Sequence, residues 1–244
     1  MKKFVLVYPP VTKEERYGSI LGEACSRALP LGIYYIASYL QSKNYSVKVF
    51  DGEALDYKET DLCRDVLEYF APDELCCIGI SATTMAFHRA LSVAKKFKEI
   101  RPDCIIILGG IQVTSNTEDA LSFSEFDYGV IGEGEITAYE LLECLYQNGD
   151  PKGVKGIAYY NASGELITTS PRPLIEDLDS LPFPAYNLVK DFSVYKPRIF
   201  EHHETPLVTF ISSRGCTGRC TFCDNSVFGR TYRQRSAENV VGGT

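Results

Sequence analysis

Short apolar runs alternate with segments of helical periodicity along the first 148 residues of the chain. The apolar runs predict five strands: Phe4–Tyr8, Val47–Phe50, Cys76–Ile80, Cys104–Leu108 and Tyr128–Ile131. A continuous apolar run such as Cys104–Leu108 is typical of a strand that is buried on both faces. We therefore predict an α/β fold, with a doubly wound, five-stranded parallel sheet over residues 1–149.

Apolar residues at helical spacing fill the intervals between these strands. They predict helices over Leu31–Asn44, around Leu62 to Phe70, from Phe87 to Phe97 and over Ile136–Gln147. Ligands of such sheets bind at the carboxyl ends of the strands, near the point where the strand order reverses. Asp51 lies at one of these ends, where it can either bind a ribose hydroxyl or cap the following turn.

The composition changes after residue 149. Seven of the twelve prolines lie within residues 150–206. Two short segments there, Gly156–Tyr160 and Glu165–Thr169, flank the sequence Asn-Ala-Ser-Gly, which favours a hairpin turn. We predict that residues 150–206 form a connector with a β-hairpin, and that a new strand, Leu207–Ile211, begins the last segment.

Three cysteines follow that strand within eight residues: Cys216, Cys220 and Cys223. Gly215 and Gly218 allow the backbone to fold tightly around them. A structural zinc takes four ligands, whereas three thiolates leave one coordination position free. On a cubane iron–sulfur cluster, three cysteines hold three irons and leave the fourth open to substrate or cofactor. The spacing therefore indicates a catalytic cluster.

Two other interpretations of these cysteines stay open. They can be buried thiols, although the loop around them is polar and rich in Gly and Arg. They can also bind zinc together with His202 or His203, in which case the chain is a non-catalytic, zinc-stapled binding module.

Charge and cysteine content narrow the classes of function. The 25 Lys and Arg against 32 Asp and Glu give a net charge of −7, which argues against a nucleic-acid or anionic-membrane surface. The longest apolar run is too short for a membrane span, and Pro9 and Pro10 end the first run too early for a signal peptide.

Nine cysteines without an export signal indicate a reducing compartment, so we expect a cytoplasmic protein. Five arginines from residue 214 onward form either a basic field for an anionic substrate or electron donor, or a solvated face.

The pattern C-x3-C-x-φ-C, with Phe222 before the last cysteine and a strand upstream, resembles the radical S-adenosylmethionine superfamily. The resemblance implies a [4Fe–4S] cluster on Cys216, Cys220 and Cys223, an open iron that binds S-adenosylmethionine, and Phe222 beside the adenine. It also implies that a reductant such as flavodoxin or ferredoxin supplies one electron, which cleaves S-adenosylmethionine to methionine and a 5′-deoxyadenosyl radical. The cofactor must bind the metal itself because the electron has to arrive within bonding distance.

The succession of an α/β domain, a Pro-rich connector and this motif is similar to the class of radical enzymes with an N-terminal cobalamin-binding domain. The segment Pro30–Leu40 resembles the first helix of that class. The resemblance implies a Rossmann-like cobalamin-binding domain over residues 1–149. Its implied ligand loops contain Leu31, Gly32, Ser81, Thr83, Thr84, Gly109, Gly110, Gly132, Glu133 and Gly134. Glycine at a strand end lets the backbone approach a flat ligand closely.

One feature of many cobalamin domains is missing. They carry Asp-x-His-x-x-Gly after the first strand, and the histidine binds cobalt. Residues 11–29 contain no histidine, and His88 is the only histidine of the predicted domain. We expect cobalamin without a protein histidine on cobalt, and a surface or packing role for His88. The alternative is a radical enzyme whose first domain binds substrate and not cobalamin.

Residues 207–244 are too few for a (β/α) barrel, which needs on the order of 200 residues. We expect them to be the truncated start of the radical S-adenosylmethionine domain, with a first helix near Ser236–Val241. The resemblance implies that the full-length enzyme performs methyl transfer, radical rearrangement or cyclisation on a substrate that the sequence does not identify. This chain alone is expected to be inactive.

Overall fold

The described part of this computed structural model, residues 1–18, 27–195 and 208–242, contains a seven-stranded sheet. Its strands are β1 (Lys3–Tyr8), β2 (Ser46–Asp51), β3 (Cys77–Ser81), β4 (Ile105–Gly109), β5 (Tyr128–Val130), β6 (Ile157–Tyr160) and β7 (Leu166–Thr168). The spatial order is β2-β1-β3-β4-β5-β6-β7, parallel from β2 to β5 and antiparallel from β5 to β7. The order reverses between β1 and β3, which marks the ligand-binding edge of such a sheet.

Helices cover both faces of the sheet. They are α1 (Lys13–Tyr17), α2 (Leu31–Ser42), α3 (Glu59–Leu67), α4 (Phe87–Ile100), α5 (Ile111–Ser115), α6 (Thr117–Leu121), α7 (Gly134–Tyr146) and α8 (Ala237–Gly242). Val5 and Val7 join the core with α3 and α4, whereas Phe4 and Leu6 join the core with α2 and α7. This split follows from the two-residue period of a strand. None of the helices in the described ranges is long and apolar enough to cross a bilayer.

The prediction of an α/β fold with parallel strands is confirmed, and the five predicted strands are β1–β5, with ends that differ by one residue at most. The count of five is incomplete, because the predicted hairpin is not a separate connector. Its strands β6 and β7 extend the sheet, and Gly129 and Val130 pair with Ala158 and Ile157. The hairpin covers an edge of β5 that would otherwise carry unpaired backbone groups.

The predicted strand Leu207–Ile211 is wrong over residues 208–211, which have no strand conformation, and Leu207 lies outside the described residues. The backbone N–H of Ile211 donates to the hydroxyl of Tyr35 at 3.0 Å, and that hydroxyl donates to the Ile211 carbonyl at 3.3 Å. The Tyr35 side chain thus satisfies the backbone N–H and carbonyl of Ile211, which a neighbouring strand would otherwise pair with. Two short antiparallel strands follow, β8 (Ser213–Arg214) and β9 (Arg233–Gln234). The predicted final helix is present as α8.

Candidate functional site

A cavity of about 130 Å³ lies between helices α2 and α7 and the sheet, toward the carboxyl ends of β3, β4 and β5. We call it the sheet cavity. Its lining includes seven of the predicted ligand-loop residues: Gly32, Ser81, Gly109, Gly110, Gly132, Glu133 and Gly134. These residues follow different strands, and they meet because the carboxyl ends of parallel strands share one edge of the sheet. Their role toward a ligand stays a prediction.

The other three predicted loop residues, Leu31, Thr83 and Thr84, are not part of the cavity lining. The Thr83 hydroxyl accepts a hydrogen bond from the Ala86 backbone N–H at 3.3 Å. It thereby caps the 3-10 turn Thr84–Ala86, which leads into α4. The structure therefore gives Thr83 a local role in ordering the backbone.

The glycines of the sheet cavity serve different purposes. A Cβ atom added at Gly32 or Gly109 would meet nothing within 4 Å, so open space lies in front of these residues. Gly110 has φ +99°, and a Cβ there would lie 2.6 Å from the carbonyl oxygen of Ala82. Gly110 is therefore required by the backbone, whereas Gly32 and Gly109 leave room for a ligand.

Sequence reasoning missed the apolar wall of the cavity. This wall includes Phe4, Leu6, Ile33, Ile36, Gly79, Ile107, Val130 and Ala138. One signal was available, because a glycine inside a strand often marks a close approach. Gly79 lies in the middle of β3, and a Cβ there would lie 2.7 Å from the Phe4 ring.

The C-terminal segment closes this cavity from the other side. Ile211, Arg214, Val227 and Phe228 belong to its lining. We call residues 215–232, which run from β8 to β9, the cysteine loop. The loop is also docked on α5, where the Ser115 hydroxyl donates to the Asp224 carboxylate at 2.5 Å. The cysteine loop and the sheet edge therefore form one site.

The three predicted ligand cysteines are exposed on this loop. Cys216 and Cys223 line a second cavity of about 490 Å³, the cysteine-loop cavity, which shares Arg214, Val227 and Phe228 with the sheet cavity. A Cβ atom on Gly218 would lie 3.3 Å from the Cys216 sulfur and 3.9 Å from the Cys220 sulfur. In the described parts of the chain, no three His, Cys, Asp or Glu side chains are gathered closely enough to hold a metal ion. Phe222 is 92% exposed, so its predicted place beside an adenine stays a prediction.

Four buried charges lie where the loop meets the sheet. Arg214 donates to Glu133 at 2.9 Å and to Glu135 at 2.5 Å, and Arg233 donates to both oxygens of Glu133 at 3.0 Å. We call these four residues the buried quartet. Of the five arginines of this segment, Arg214, Arg233 and Arg235 are buried, so a solvated face does not describe them.

Two further residues were assigned alternative roles from the sequence. Asp51 caps the turn after β2, because its carboxylate accepts from the Ala54 N–H at 2.9 Å. Its other oxygen accepts from the hydroxyl of Tyr195 at 2.9 Å, so both oxygens already have a partner within the fold. His88 is exposed and contacts Met85 and Glu15, in agreement with a surface role.

Comparisons with known proteins identify the family. The B12 binding domain family matches residues 19–142, about half of the chain. An uncharacterized methyltransferase of Pyrococcus horikoshii is 35% identical over 243 residues, which cover 98% of this chain and 49% of that protein. The chain belongs to the B12 binding domain family.

Other relatives are matched over a smaller share of their own length. The anaerobic magnesium-protoporphyrin IX monomethyl ester cyclase of Rubrivivax gelatinosus is 30% identical over 217 residues, 87% of this chain and 38% of that enzyme. The fold is similar to that of OxsB, a cobalamin-dependent S-adenosylmethionine radical enzyme, with a TM-score of 0.78 at 20% identity over 100% of this chain and 31% of that one. The B12-binding chain thus spans about half, or less, of the length of these relatives.

Proposed function

We propose that this chain binds cobalamin at the carboxyl edge of the sheet, with part of the ligand in the sheet cavity, and holds a [4Fe–4S] cluster on Cys216, Cys220 and Cys223. We propose further that it acts within an enzyme that uses S-adenosylmethionine for methyl transfer or for radical rearrangement or cyclisation. One observation carries the proposal: the sheet cavity and the cysteine-loop cavity share Arg214, Val227 and Phe228. A corrinoid that reaches into the first cavity would therefore be a direct neighbour of the thiols in the second.

Two features of the sheet cavity fit a corrinoid. The open space before Gly32 and Gly109 lets a large flat ligand approach the backbone. One carboxylate oxygen of Glu135 is buried without a hydrogen-bond partner among the described residues, although Glu135 lines the cavity. A buried acceptor of this kind is costly unless a donor satisfies it. The amide N–H groups on the rim of a corrin ring are donors of the required type.

The cysteine loop fits a cluster by the chemistry of its donors. Three thiols on one polar, exposed loop match the three-cysteine ligand set that leaves one iron free. The Gly218 N–H already points at the Cys216 sulfur, at 3.4 Å. The sulfurs are not gathered around one point, so cluster assembly would draw the loop together. The absence of a Cβ at Gly218, between two of the sulfurs, leaves room for that movement.

The bound groups would supply the reactive chemistry, namely the electron that cleaves S-adenosylmethionine and a cobalt centre that carries a methyl group or transfers electrons. The residues of this chain would hold them in a fixed relation and shield them. Phe222, exposed beside Cys223, is available to contact the adenine. Exposed thiols of a cluster need a reducing environment, so a cytoplasmic location and a donor such as flavodoxin or ferredoxin belong to the proposal.

Gel filtration of the 244-residue chain with hydroxocobalamin tests the first part of the proposal. We expect about one corrinoid to co-elute with each chain and to colour the protein peak. A colourless protein peak would leave the alternative in which this domain binds substrate.

The second part, binding of S-adenosylmethionine at the cluster, is tested on a form of the protein that includes a complete barrel. After anaerobic reconstitution with iron and sulfide, addition of S-adenosylmethionine is expected to change the paramagnetic resonance spectrum of the reduced cluster. An unchanged spectrum would refute the assignment.

A further inference from the structure

The two ends of the cysteine loop are held by like charges that lie side by side. Arg214 in β8 and Arg233 in β9 are direct cross-strand partners. Like charges directly opposite each other destabilise a pair of strands, and this ribbon has only two residues in each strand. The ribbon therefore depends on compensation from outside itself.

The compensation comes from the sheet. Glu133 and Glu135 lie at the junction of β5 and α7, and they are 79 to 100 residues away from the arginines along the chain. All four side chains of the buried quartet are nearly inaccessible, with exposures of 6% and 4% for the glutamates and 4% and 7% for the arginines. Their formal charges sum to zero, so removal of one member leaves an uncompensated buried charge.

Arg214 has a central position in this arrangement. Its guanidinium carbon lies 5.4 Å from the ring centre of Tyr35 on α2 and 5.3 Å from that of Phe228 in the cysteine loop. The residue lines both cavities and is separated from Cys216 by Gly215 alone. Charge-assisted hydrogen bonds to two carboxylates fix the direction of a guanidinium more strictly than apolar packing does. A shift of the β5–α7 junction would thus be transmitted to the first cysteine.

From these contacts we infer that Arg214 is a positioning residue that couples the two cofactor sites. Glu133 and Glu135 line the sheet cavity, and Arg214 links them to the base of the cysteine loop. A corrinoid that orders the β5–α7 junction therefore favours one arrangement of the cysteine loop. By linkage, the assembled cluster must favour corrinoid binding by the same factor. This inference rests on the proposed function, since it requires both groups to bind.

The test measures the dissociation constant of hydroxocobalamin for the 244-residue chain with and without an anaerobically reconstituted cluster. For the unmodified chain we expect at least about fivefold tighter binding when the cluster is present, the lower end of typical coupling between sites. For Arg214→Gln we expect the dissociation constant without the cluster, divided by that with the cluster, to fall to about one. The control is Arg219→Gln, because Arg219 is an exposed arginine of the same loop and should leave the ratio unchanged.

A second variant guards against loss of folding in Arg214→Gln. The double variant Arg214→Gln with Glu135→Gln removes one positive and one negative charge, so Glu133 and Arg233 stay balanced. It should keep its melting temperature and still show a ratio near one. Only the ratio is compared, because Glu135 also lines the sheet cavity and its substitution changes the absolute corrinoid affinity. A purely structural role would change the melting temperature or both affinities but would leave the ratio intact, and that result would overturn the inference.

Hydrogen exchange gives a readout that needs neither cofactor. In Arg214→Gln, amides in residues 132–136 and in residues 213–217 should both exchange faster than in the unmodified chain. Faster exchange in only one of these segments would contradict the coupling. If the unmodified chain binds neither corrinoid nor cluster, the proposed function fails together with this inference. If it binds both with a ratio of one, the inference alone fails.

Discussion

The hydroxyl of Tyr195 donates a hydrogen bond of 2.9 Å to Asp51, a residue 144 positions earlier in the chain. Asp51 ends β2 and is buried at the edge of the sheet. Burial raises the pKa of its carboxyl, although the Ala54 N–H, the Tyr195 hydroxyl and the charge of Arg27 act in the opposite direction. The ionised carboxylate is therefore less favourable in the folded chain than in the unfolded one.

This relationship predicts the pH dependence of an Asp51→Asn variant. A carboxyl with a raised folded pKa contributes stability that is complete below its unfolded pKa, near about 4, and is lost as the pH rises through the folded value. Asparagine does not ionise, so the stability of the variant relative to the unmodified chain should increase as the pH rises from 4 to 7. Urea unfolding at several pH values measures this difference. An Asp51→Asn stability profile that runs parallel to that of the unmodified chain would show the prediction to be wrong.

Replacement of any of the three loop cysteines proposed as cluster ligands should prevent cluster assembly. The unmodified chain is expected to take up about four irons and four sulfides after anaerobic reconstitution, and Cys216→Ala, Cys220→Ala or Cys223→Ala should reduce this to well below one cluster per chain. Iron and sulfide analysis gives the numbers. Cys144→Ala is the matched control, because this thiol lies on α7 and away from the cysteine loop.

The same analysis separates the zinc interpretation from the cluster. Stoichiometric zinc without sulfide in the purified chain would favour a zinc-stapled module. Its proposed fourth ligands, His202 and His203, lie outside the described residues.

Substitutions at Gly109 and Gly79 should separate the effect on ligand affinity from the effect on stability. A valine at Gly109 would extend into open space in the sheet cavity, so we expect hydroxocobalamin affinity to fall at least about tenfold, equivalent to about 1.4 kcal/mol, without a change in melting temperature. Gly153→Val is the control, since a Cβ there also meets nothing within 4 Å and the residue does not line the cavity. Unchanged affinity in Gly109→Val would place the corrinoid elsewhere.

Gly79→Ala, in contrast, should lower the free energy of unfolding. The new methyl group would lie 2.7 Å from the Phe4 ring and 3.0 Å from a methyl group of Leu6. Overpacking of this kind typically costs about 1–3 kcal/mol. Denaturant unfolding should show that loss in Gly79→Ala, and a variant as stable as the unmodified chain would mean that Phe4 can move aside freely.

The first domain could be predicted because its signals are local. The runs at β1–β5 and the helical spacing between them depend on neighbouring residues only, and parallel strands bring Ser81, Gly109 and Gly132 to one edge whatever the details of packing. The cysteine spacing was equally local. These local features predicted both parts of the candidate site, the carboxyl edge of the sheet and the cysteine loop.

The ion pairs that join the cysteine loop to the sheet edge could not be predicted. Glu133 was expected to face a ligand, and the arginines were expected to form a solvated face or a basic field, because sequence patterns do not show which distant charges will pair. Likewise, the apolar run before Ser212 predicted a strand, but the backbone N–H of Ile211 donates to the hydroxyl of Tyr35 and not to a neighbouring strand. Each of these outcomes depends on contacts across more than 75 residues of sequence.

Burial should divide the thiols of this chain into two reactivity classes. Burial raises the pKa of Cys63 and of Cys77 to about 12, so that at pH 8 only about one in ten thousand of these thiols is ionised. The thiolate is the reactive form, and Cys216, Cys220 and Cys223 are exposed to solvent. In the metal-free chain, we expect a maleimide to modify the three loop cysteines at least about a hundred times faster than Cys63 and Cys77. Peptide mapping by mass spectrometry at timed intervals resolves each site, and unfolding in guanidinium should abolish the difference. Comparable rates in the folded chain would mean that the core around β3 opens readily, and a preformed sheet cavity could then no longer be assumed.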